Sequence, residues 1–535
     1  MSSRESEGRG GAGPSVGSAV PRLHDIVVVS DLHLGRGKNP DTGRYHRLEA
    51  FFYDDDFHHF CSDLVAGTRA RGDRLKLVLN GDTFDLLRIE PEPAVTPAAG
   101  HWPRYNQALV PAEAALTVRH ILDGHPLFVR GLAEVLAAGN ELVILPGNHD
   151  PEMQWEAVRD EVRTALHAEL VRIAGVGSGA TEAAARAMNG LRFESWFHHE
   201  PGRIWIEHGC QYDPENAFKY PLRRDAAGLP EDVHRKEVDL PLGTFFQRYL
   251  YNSFGSITFI VPNSRSNFRY FRWLLLNRPR LLARVATVHV PFLLQILRRL
   301  AKIPPSEESL RQSHEGELGE LVGASPVGER LHLIDQLKQV HGSAALLARQ
   351  IVVRIVKATG YVLLTAFFAA ALWFLGFQAI TTMQAGFGFK AVLFLTLNFL
   401  FLLGAVGAAA YFLMRPSGSA EDPRMRRAAA KIADLSRVPM VTFGHSHEEV
   451  IARLQTDGGA AAWYFNTGTW IAVFNADTLL PRERVQYTFL RVRGHRGELL
   501  HWSPGRREAA PVVLLEEDHH HTGAEPDRPV DVHAN

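Results

Sequence analysis

Apolar positions along this chain fall into short continuous runs, each closed by a polar cluster, with helical stretches between them. DIVVVS (25–30), LKLVLN (75–80) and ELVILP (141–146) are rich in Val, Ile and Leu and do not alternate with polar residues. Such runs predict strands covered on both faces, as in a layered α/β enzyme. RIWIEHG (203–209) and PMVTFGHSH (439–447) repeat the arrangement. The later segments EVIARL, AAWYFNTGTW, YTFLRVR and GELLHW predict short strands that complete a second sheet.

The pattern breaks between these two groups. From Ala358 to Phe389, 32 residues carry no Asp, Glu, Lys, Arg or His, and 24 more uncharged residues run from Ala391 to Met414. About 20 helical residues span a bilayer core, so the chain predicts transmembrane helices at Gly360–Ile380 and Ala391–Met414. The turn between them contains Gln384, Gly386 and Gly388. Lys338, Arg349, Arg354 and Lys357 precede this hairpin, and Arg415, Arg424, Arg426, Arg427 and Lys431 follow it; the turn has only Lys390. The positive-inside rule then places both flanks in the cytoplasm, at the cell (inner) membrane.

Charge sharpens the picture just upstream. Leu240–Ser306 holds no acidic residue in 67 positions but ten Arg or Lys and eleven aromatics. Arg265, Arg269, Arg272, Trp273, Arg278, Arg280 and Arg284 are the candidate membrane-surface residues. Basic and aromatic residues interleaved in this way suit an anionic membrane interface or a nucleic acid; the adjacent hairpin favours the membrane, and no nucleic-acid partner is expected.

Composition adds boundaries. The 535 residues, with 58 Lys+Arg and 59 Asp+Glu, exclude a collagen-like, coiled-coil or wholly disordered chain. Two cysteines, Cys61 and Cys210, cannot form a disulfide framework, so a reducing compartment is expected. Residues 1–22 read as a disordered leader, 23–213 as the first part of the α/β domain and 214–357 as a helical, membrane-proximal insertion. The hairpin occupies 358–414, the second part of the domain 435–502, and a disordered tail 503–535, which includes the histidine run 519–521. Oligomeric state is not legible.

The 26 histidines matter because several fall at strand ends. Those ends read Asp31-Leu-His33, Gly81-Asp82-Thr-Phe-Asp85, Gly147-Asn148-His149-Asp150, His208-Gly209 and Gly444-His445-Ser446-His447. Carboxylate, imidazole and amide oxygen suit divalent first-row ions, which makes Asp31, His33, Asp82, Asn148, His208, His445 and His447 candidate ligands. Two ions about 3.5–4 Å apart can share a hydroxide and hold phosphate oxygens for in-line attack. A carboxylate must bridge them, each ion taking one of its oxygens. His149 is free to face a substrate as a general acid or as a phosphate-orienting group. Asp85 reads as the residue fixing His33 or a neighbouring ligand, Asn466 as a ligand-orienting amide or an ordinary turn residue, and Cys210 as a packed thiol. Asp54-Asp55-Asp56 reads as a helix N-terminus or solvated face.

This set resembles the calcineurin-like metallophosphoesterase superfamily, whose signature is D-x-H, G-D-x-x-D, G-N-H-D/E, H and G-H-x-H. The resemblance covers roughly 23–210 and 435–500. It implies a four-layer αββα sandwich in which Asp31, His33 and His447 hold one ion, and Asn148, His208 and His445 the other, with Asp82 bridging. It also implies a dyad in which Asp150 hydrogen-bonds His149. Mn²⁺ is the expected metal, with Fe²⁺ or Zn²⁺ also suited. The motifs are similar to those of the bacterial UDP-diacylglucosamine pyrophosphatases, but those enzymes carry Arg at the position of His149 and lack a hairpin. What the resemblance implies is therefore a metal-dependent phosphohydrolase of a lipid or lipid-linked phosphoester or pyrophosphate. A membrane-tethered phosphodiesterase or phosphatase of nucleotides or phosphoproteins is the alternative, and a non-catalytic membrane scaffold a third.

Overall fold

The computed structural model describes residues 24–89, 111–222 (except 176 and 178), 307–340, 344–414, 423–459, 461–475 and 485–512. Short pieces within 241–287 and at 480–481 and 530–531 are also described. The leader, the histidine run and the surface candidates Arg265, Arg269, Arg272 and Trp273 lie outside the described residues.

The architecture is mixed α/β. Strands β1 (Asp25–Val29), β2 (Leu75–Asn80), β3 (Glu141–Leu145) and β4 (Leu191–Phe193) run parallel, with Val28 opposite Val78 and Val78 opposite Val143. Between them come helices α1 (Asp54–Arg71), α2 (Pro111–Gly124), α3 (Pro126–Ala137), α4 (Glu156–Ala174) and α5 (Ala180–Met188). A second sheet holds β5 (Phe197–Glu200), β6 (Ile204–Glu207), β8 (Met440–Phe443), β9 (Glu449–Gln455) and β10 (Ala461–Thr467), in the order β5-β6-β8-β10-β9. A small third sheet joins β7 (Phe259–Ile260), β11 (Val473–Asn475) and β12 (Leu480–Pro481).

The unbroken apolar runs are explained by cover on both faces. In β1, Val27 and Val29 pack with Phe57, Phe60 and Phe128 of α1 and α3. Ile26 and Val28 point the other way and meet Ile204, Ile206, Met440 and Phe465 of the second sheet. Outside that sheet, Met425, Ala429 and Ile432 of the helix Pro423–Ser436 pack on Val441, Val450 and Tyr464. The layer order is therefore helix, sheet, sheet, helix. Strand β9 is fully covered on one face and only partly on the other, and alternates accordingly: Val450, Ala452 and Leu454 are buried, Ile451 is half-buried against the core between the sheets, and Arg453 and Gln455 are exposed.

Three expectations change. The strands β13 (Thr488–Arg493) and β14 (Arg496–Ser503) join the first sheet rather than completing the second: β13 pairs antiparallel with β1, and β14 antiparallel with β13. An apolar run shows that both faces are covered but not by which sheet. The strand β15 (Glu508–Pro511) pairs with β14, so ordered structure passes residue 502. Within the expected membrane-proximal insertion, Leu318, Val327, Leu331 and Ile334, from the helices Glu307–Ala324 and Arg330–Asp335 and the turn between them, belong to the core outside the second sheet. That part of the insertion covers the domain.

Two helices, Ala344–Thr382 and Phe387–Met414, contain stretches long and apolar enough to cross a membrane, Leu363–Thr382 and Phe387–Gly407. The first begins sixteen residues before the expected start at Gly360, and Gly388 lies inside the second helix instead of the turn. Trp373 Nε1 donates to Asn398 Oδ1 at 3.3 Å across the pair. Acids at positions 54–56 open α1, where they complement the helix dipole.

Candidate metal centre

The seven candidate ligands come from the carboxyl ends of five strands, and these ends converge. Asp31 and His33 follow β1, Asp82 follows β2, Asn148 follows β3, His208 follows β6, and His445 and His447 follow β8. Backbone bonds tie these turns together: His33 N–H donates to Asp82 O at 2.9 Å and Gly444 N–H to His208 O at 3.0 Å. His445 N–H donates to Asp31 Oδ2 at 3.0 Å, a contact spanning 414 positions.

The local conformations are unusual. Asp31, His33, Asp82, His445 and His447 have φ of +56°, +50°, +49°, +67° and +58°, in the left-handed region that side-chain-bearing residues avoid. Each such residue costs about 1–3 kcal/mol and persists only where surrounding structure enforces it. The adjoining glycines explain how the turns fit. A Cβ on Gly147 would lie 2.1 Å from Asp82 Oδ1, and one on Gly444 2.5 Å from Asp31 Oδ2.

Three groups of side chains among the described residues could each hold a metal ion: Asp31, His33 and His447; Asp82, His208 and His445; and His33, Asp85 and His149, which shares His33 with the first. His447 Nε2 lies 3.1 Å from Asp31 Oδ1 and 3.0 Å from His33 Nε2. His208 Nε2 lies 3.1 Å from Asn148 Oδ1 and 3.3 Å from Asp82 Oδ2. Lone-pair atoms gathered this closely repel one another unless a proton or cation sits among them, and N/O donors of this kind suit a divalent first-row ion. His208 Nδ1 donates to Asn80 O at 3.0 Å, which leaves Nε2 as the ligating nitrogen.

The Asp82 carboxylate is oriented differently from the expectation that each of its oxygens would face one ligand group. Its Oδ1 accepts the His149 N–H at 2.7 Å, so Oδ2 alone faces both groups, 3.3 Å from His208 and 3.8 Å from His33. Burial would raise its pKa, but the imidazoles of His208, His149 and His33 hold it well below the usual carboxylate range. The same interaction overcomes burial at His208 and raises it to about 10.

The expected Asp150–His149 dyad does not form. Asp150 accepts backbone N–H groups from Asp82, Thr83, Phe84 and Gly147, at 2.6–3.2 Å, and so fastens the β2 and β3 turns to each other. Burial and the Asp82 carboxylate push its pKa up to about 7. Asp85 takes the dyad position: its Oδ1 lies 2.9 Å from His149 Nδ1 and its Oδ2 3.5 Å from His33 Nδ1. Burial lowers the His149 pKa, but Asp85 and Asp82 outweigh it and hold it at about 8. The His149 side chain is 13% exposed against at most 4% for the four candidate ligand imidazoles, so it is the most open of the five to solvent.

Asn466 donates to Gly444 O at 2.6 Å and so braces the His445–His447 turn. Cys210 and the 54–56 acids belong to none of the potential metal groups among the described residues. Arg278, Arg280 and Arg284 are exposed at or within the short helix Pro279–Arg284.

Sequence reading missed Asp213. Its Oδ2 lies 3.0 Å from His445 Nε2, and Asn216 Nδ2 donates to that oxygen at 2.6 Å. With Nε2 so held, Nδ1 is the nitrogen His445 can offer to an ion. Asp213 follows His208 by five residues in Gly209–Asn216 (GCQYDPEN), where nothing in the spacing points to a residue 232 positions away. No family model and no curated protein matches this chain.

Proposed function

We propose that this chain is a two-metal phosphohydrolase of the calcineurin-like metallophosphoesterase kind, acting at a membrane surface on a phosphoester or pyrophosphate bond of a lipid or lipid-linked substrate. The observation that carries the reading is the meeting of two ligand groups at Asp82 Oδ2, at the carboxyl ends of strands from both sheets. The helix–sheet–sheet–helix layering supports the same reading. Asp31, His33 and His447 would hold one ion, Asn148, His208 and His445 the other, with Asp82 between them. Mn²⁺, Fe²⁺ and Zn²⁺ all suit this donor set.

Bound there, divalent ions lower the pKa of water and withdraw electron density from phosphoryl oxygens. The chain's own residues do the rest. Asp85 fixes the His149 ring through Nδ1, which leaves Nε2 to donate a proton or hydrogen bond to the leaving oxygen. The hairpin and its basic flanks would set the site on the cytoplasmic face of an anionic membrane.

The test is hydrolysis by the full chain, purified in detergent with Mn²⁺, of vesicle-borne lipid pyrophosphates, lysophospholipids, cyclic nucleotides and p-nitrophenyl esters. His149→Ala should keep its metals and lose ~10²–10⁴-fold in kcat, less for p-nitrophenolate leaving groups. Turnover of soluble diesters that exceeds that of every lipid would hand the site to the soluble-substrate reading, and no metal-dependent hydrolysis at all would remove the proposal.

A further inference from the structure

Two buried hydroxyls stand behind the Asp31 carboxylate. Ser30 follows β1 directly, and its Oγ donates to Asp31 Oδ2 at 2.5 Å. Thr467 ends β10, and its Oγ1 lies 2.6 Å from Ser30 Oγ. The two residues are 437 positions apart in the chain. One leaves a strand of the first sheet and the other ends a strand of the second.

Counting protons gives the pair a direction. Each hydroxyl has one proton to donate, and an ionised carboxylate has none. The contact with Asp31 takes the Ser30 proton, so the proton between the two hydroxyls comes from Thr467. The other acceptors within reach are farther: Gly468 O is 3.4 Å from Ser30 Oγ, and Phe443 O is 3.3 Å from Thr467 Oγ1. The relay therefore runs from Thr467 to Ser30 to Asp31.

Its consequence is a fixed carboxylate. Asp31 Oδ2 accepts both the Ser30 hydroxyl and the His445 N–H, the latter at 3.0 Å and 3.2 Å from Oδ1. Charge-assisted bonds of this kind are short and strong, and they stop the carboxylate from turning. Oδ1 is then the oxygen that lies beside the His447 imidazole, 3.1 Å from Nε2. The same turn grips the Asp31 backbone: Thr469 Oγ1 donates to Asp31 O at 2.7 Å, which helps to enforce the left-handed φ of +56°. Thr488 of β13 in turn donates to Thr467 O at 2.5 Å. Gly444 makes the space, since a Cβ there would lie 2.5 Å from Ser30 Oγ as well as from Asp31 Oδ2.

We infer that Ser30 and Thr467 are positioning residues for the group formed by Asp31, His33 and His447: their hydroxyl relay holds Asp31 Oδ2 and so presents Oδ1 alone to a divalent ion. The inference rests on the two-metal reading proposed above and assigns it two residues that donate nothing to the ion themselves.

The test is a titration of the full chain in detergent with Mn²⁺, after metals are stripped on a chelating resin, with the free ion counted by its EPR signal. The wild-type chain should take two ions. Ser30→Ala should weaken one of them by ~10–100-fold, the range for partners of metal-ligating side chains, and leave the other as it was. Thr467→Val keeps the shape of a side chain that makes no hydrogen bond to Asp31. It should weaken the same ion by about 2–10-fold, the worth of one hydrogen bond. Because Thr467 acts through Ser30, the double variant Ser30→Ala/Thr467→Val should bind as Ser30→Ala does and not show the product of the two losses. Thr467→Ser keeps the hydroxyl and should restore wild-type affinity. Unchanged affinity in Ser30→Ala, losses that multiply in the double variant, or equal weakening of both ions in every variant including Thr467→Ser overturns the inference. A wild-type chain that takes no Mn²⁺ removes the proposed function and this inference together. Two bound ions with the expected variant pattern but no hydrolysis would keep the relay and remove the function alone.

Discussion

In β1, Ile26, Val27, Val28 and Val29 are at most 1% exposed, whereas on the hairpin Leu395 is 68% and Phe399 62% exposed. Both sets are apolar; the cover is not the same. The two-sheet body surrounds its apolar side chains with other parts of itself. On the hairpin, Leu363, Phe367, Leu372, Leu395 and Phe399 have no such cover, although a soluble protein leaves patches of that size uncovered only where something else covers them. The contrast separates two tasks. The body assembles the ligand cluster from turns up to 414 positions apart, and the hairpin lies between the two halves without supplying a ligand.

The comparison breaks most visibly if the hairpin is removed. With a flexible polar linker in place of Ala358–Met414, the protein should move from the membrane fraction to the soluble one and keep its metal content. Closing a loop of different length changes stability only slowly, and the covering helix Pro423–Ser436 stays in place. Sedimentation and elemental analysis check this. A body that aggregates and loses metal would show that the hairpin belongs to its core.

Asp82→Asn tests the other side. The substitution keeps the side chain's shape and its Oδ1 acceptor but removes the charge facing His33 and His208. Turnover should fall by ~10²–10³-fold or more, the scale for removing one electrostatic partner at a reacting centre, and at least one metal should be lost. Membrane association should stay as it was. Full metal content at normal turnover would sink the shared-carboxylate reading.

Much of this division is legible in the sequence. Unbroken Val/Ile/Leu runs ending in Asp, His or Asn mark β1, β2, β3, β6 and β8 because strands covered on both faces have no polar face to alternate with. An uncharged stretch of 32 residues marks the first membrane-length helix for an equally simple reason. What stayed hidden depends on direction. Asp85 and Asp150 are both near His149 in the folded chain, and only the backbone turn decides that Asp150 points back at four N–H groups while Asp85 reaches the imidazole. Asp213 was hidden by distance along the chain, and the return of β13 to the first sheet by the fact that burial does not name a partner.

Asp213 gives a smaller, sharper effect. It touches no candidate ion but holds His445 through Nε2, so Asp213→Asn should weaken metal affinity by ~10–100-fold, the usual range for partners of a ligating histidine. Activity should recover in excess Mn²⁺ while the chelator concentration needed to strip the protein falls. Competitive titration with a metal-binding dye reads this directly. Equal dye competition in wild type and variant would make Asp213 a packing residue only.

The smallest effect lies away from the metal centre, around the buried Glu49 carboxylate, which accepts the N–H groups of Gly35, Gly37 and Phe51. His125 is buried with Nδ1 3.0 Å from both carboxylate oxygens of Asp54 and Nε2 3.5 Å from Glu49 Oε2. Burial lowers its pKa, but the two carboxylates outweigh it and raise it to about 9. Since the folded value lies above the unfolded one of about 6.5, the protonated ring stabilises the fold fully below pH 6.5, and that contribution disappears as pH rises through 9. The difference is on the order of 3 kcal/mol at most. In the hairpin, Lys390 is the one charged residue between Ala358 and Met414, so this dependence belongs to the body. Melting in detergent from pH 6 to pH 10 should show wild type above His125→Gln at the acid end, with the two curves meeting near pH 9–10. A constant gap across that range would mean that His125 is neutral in the fold and that the carboxylates are held by their backbone donors alone.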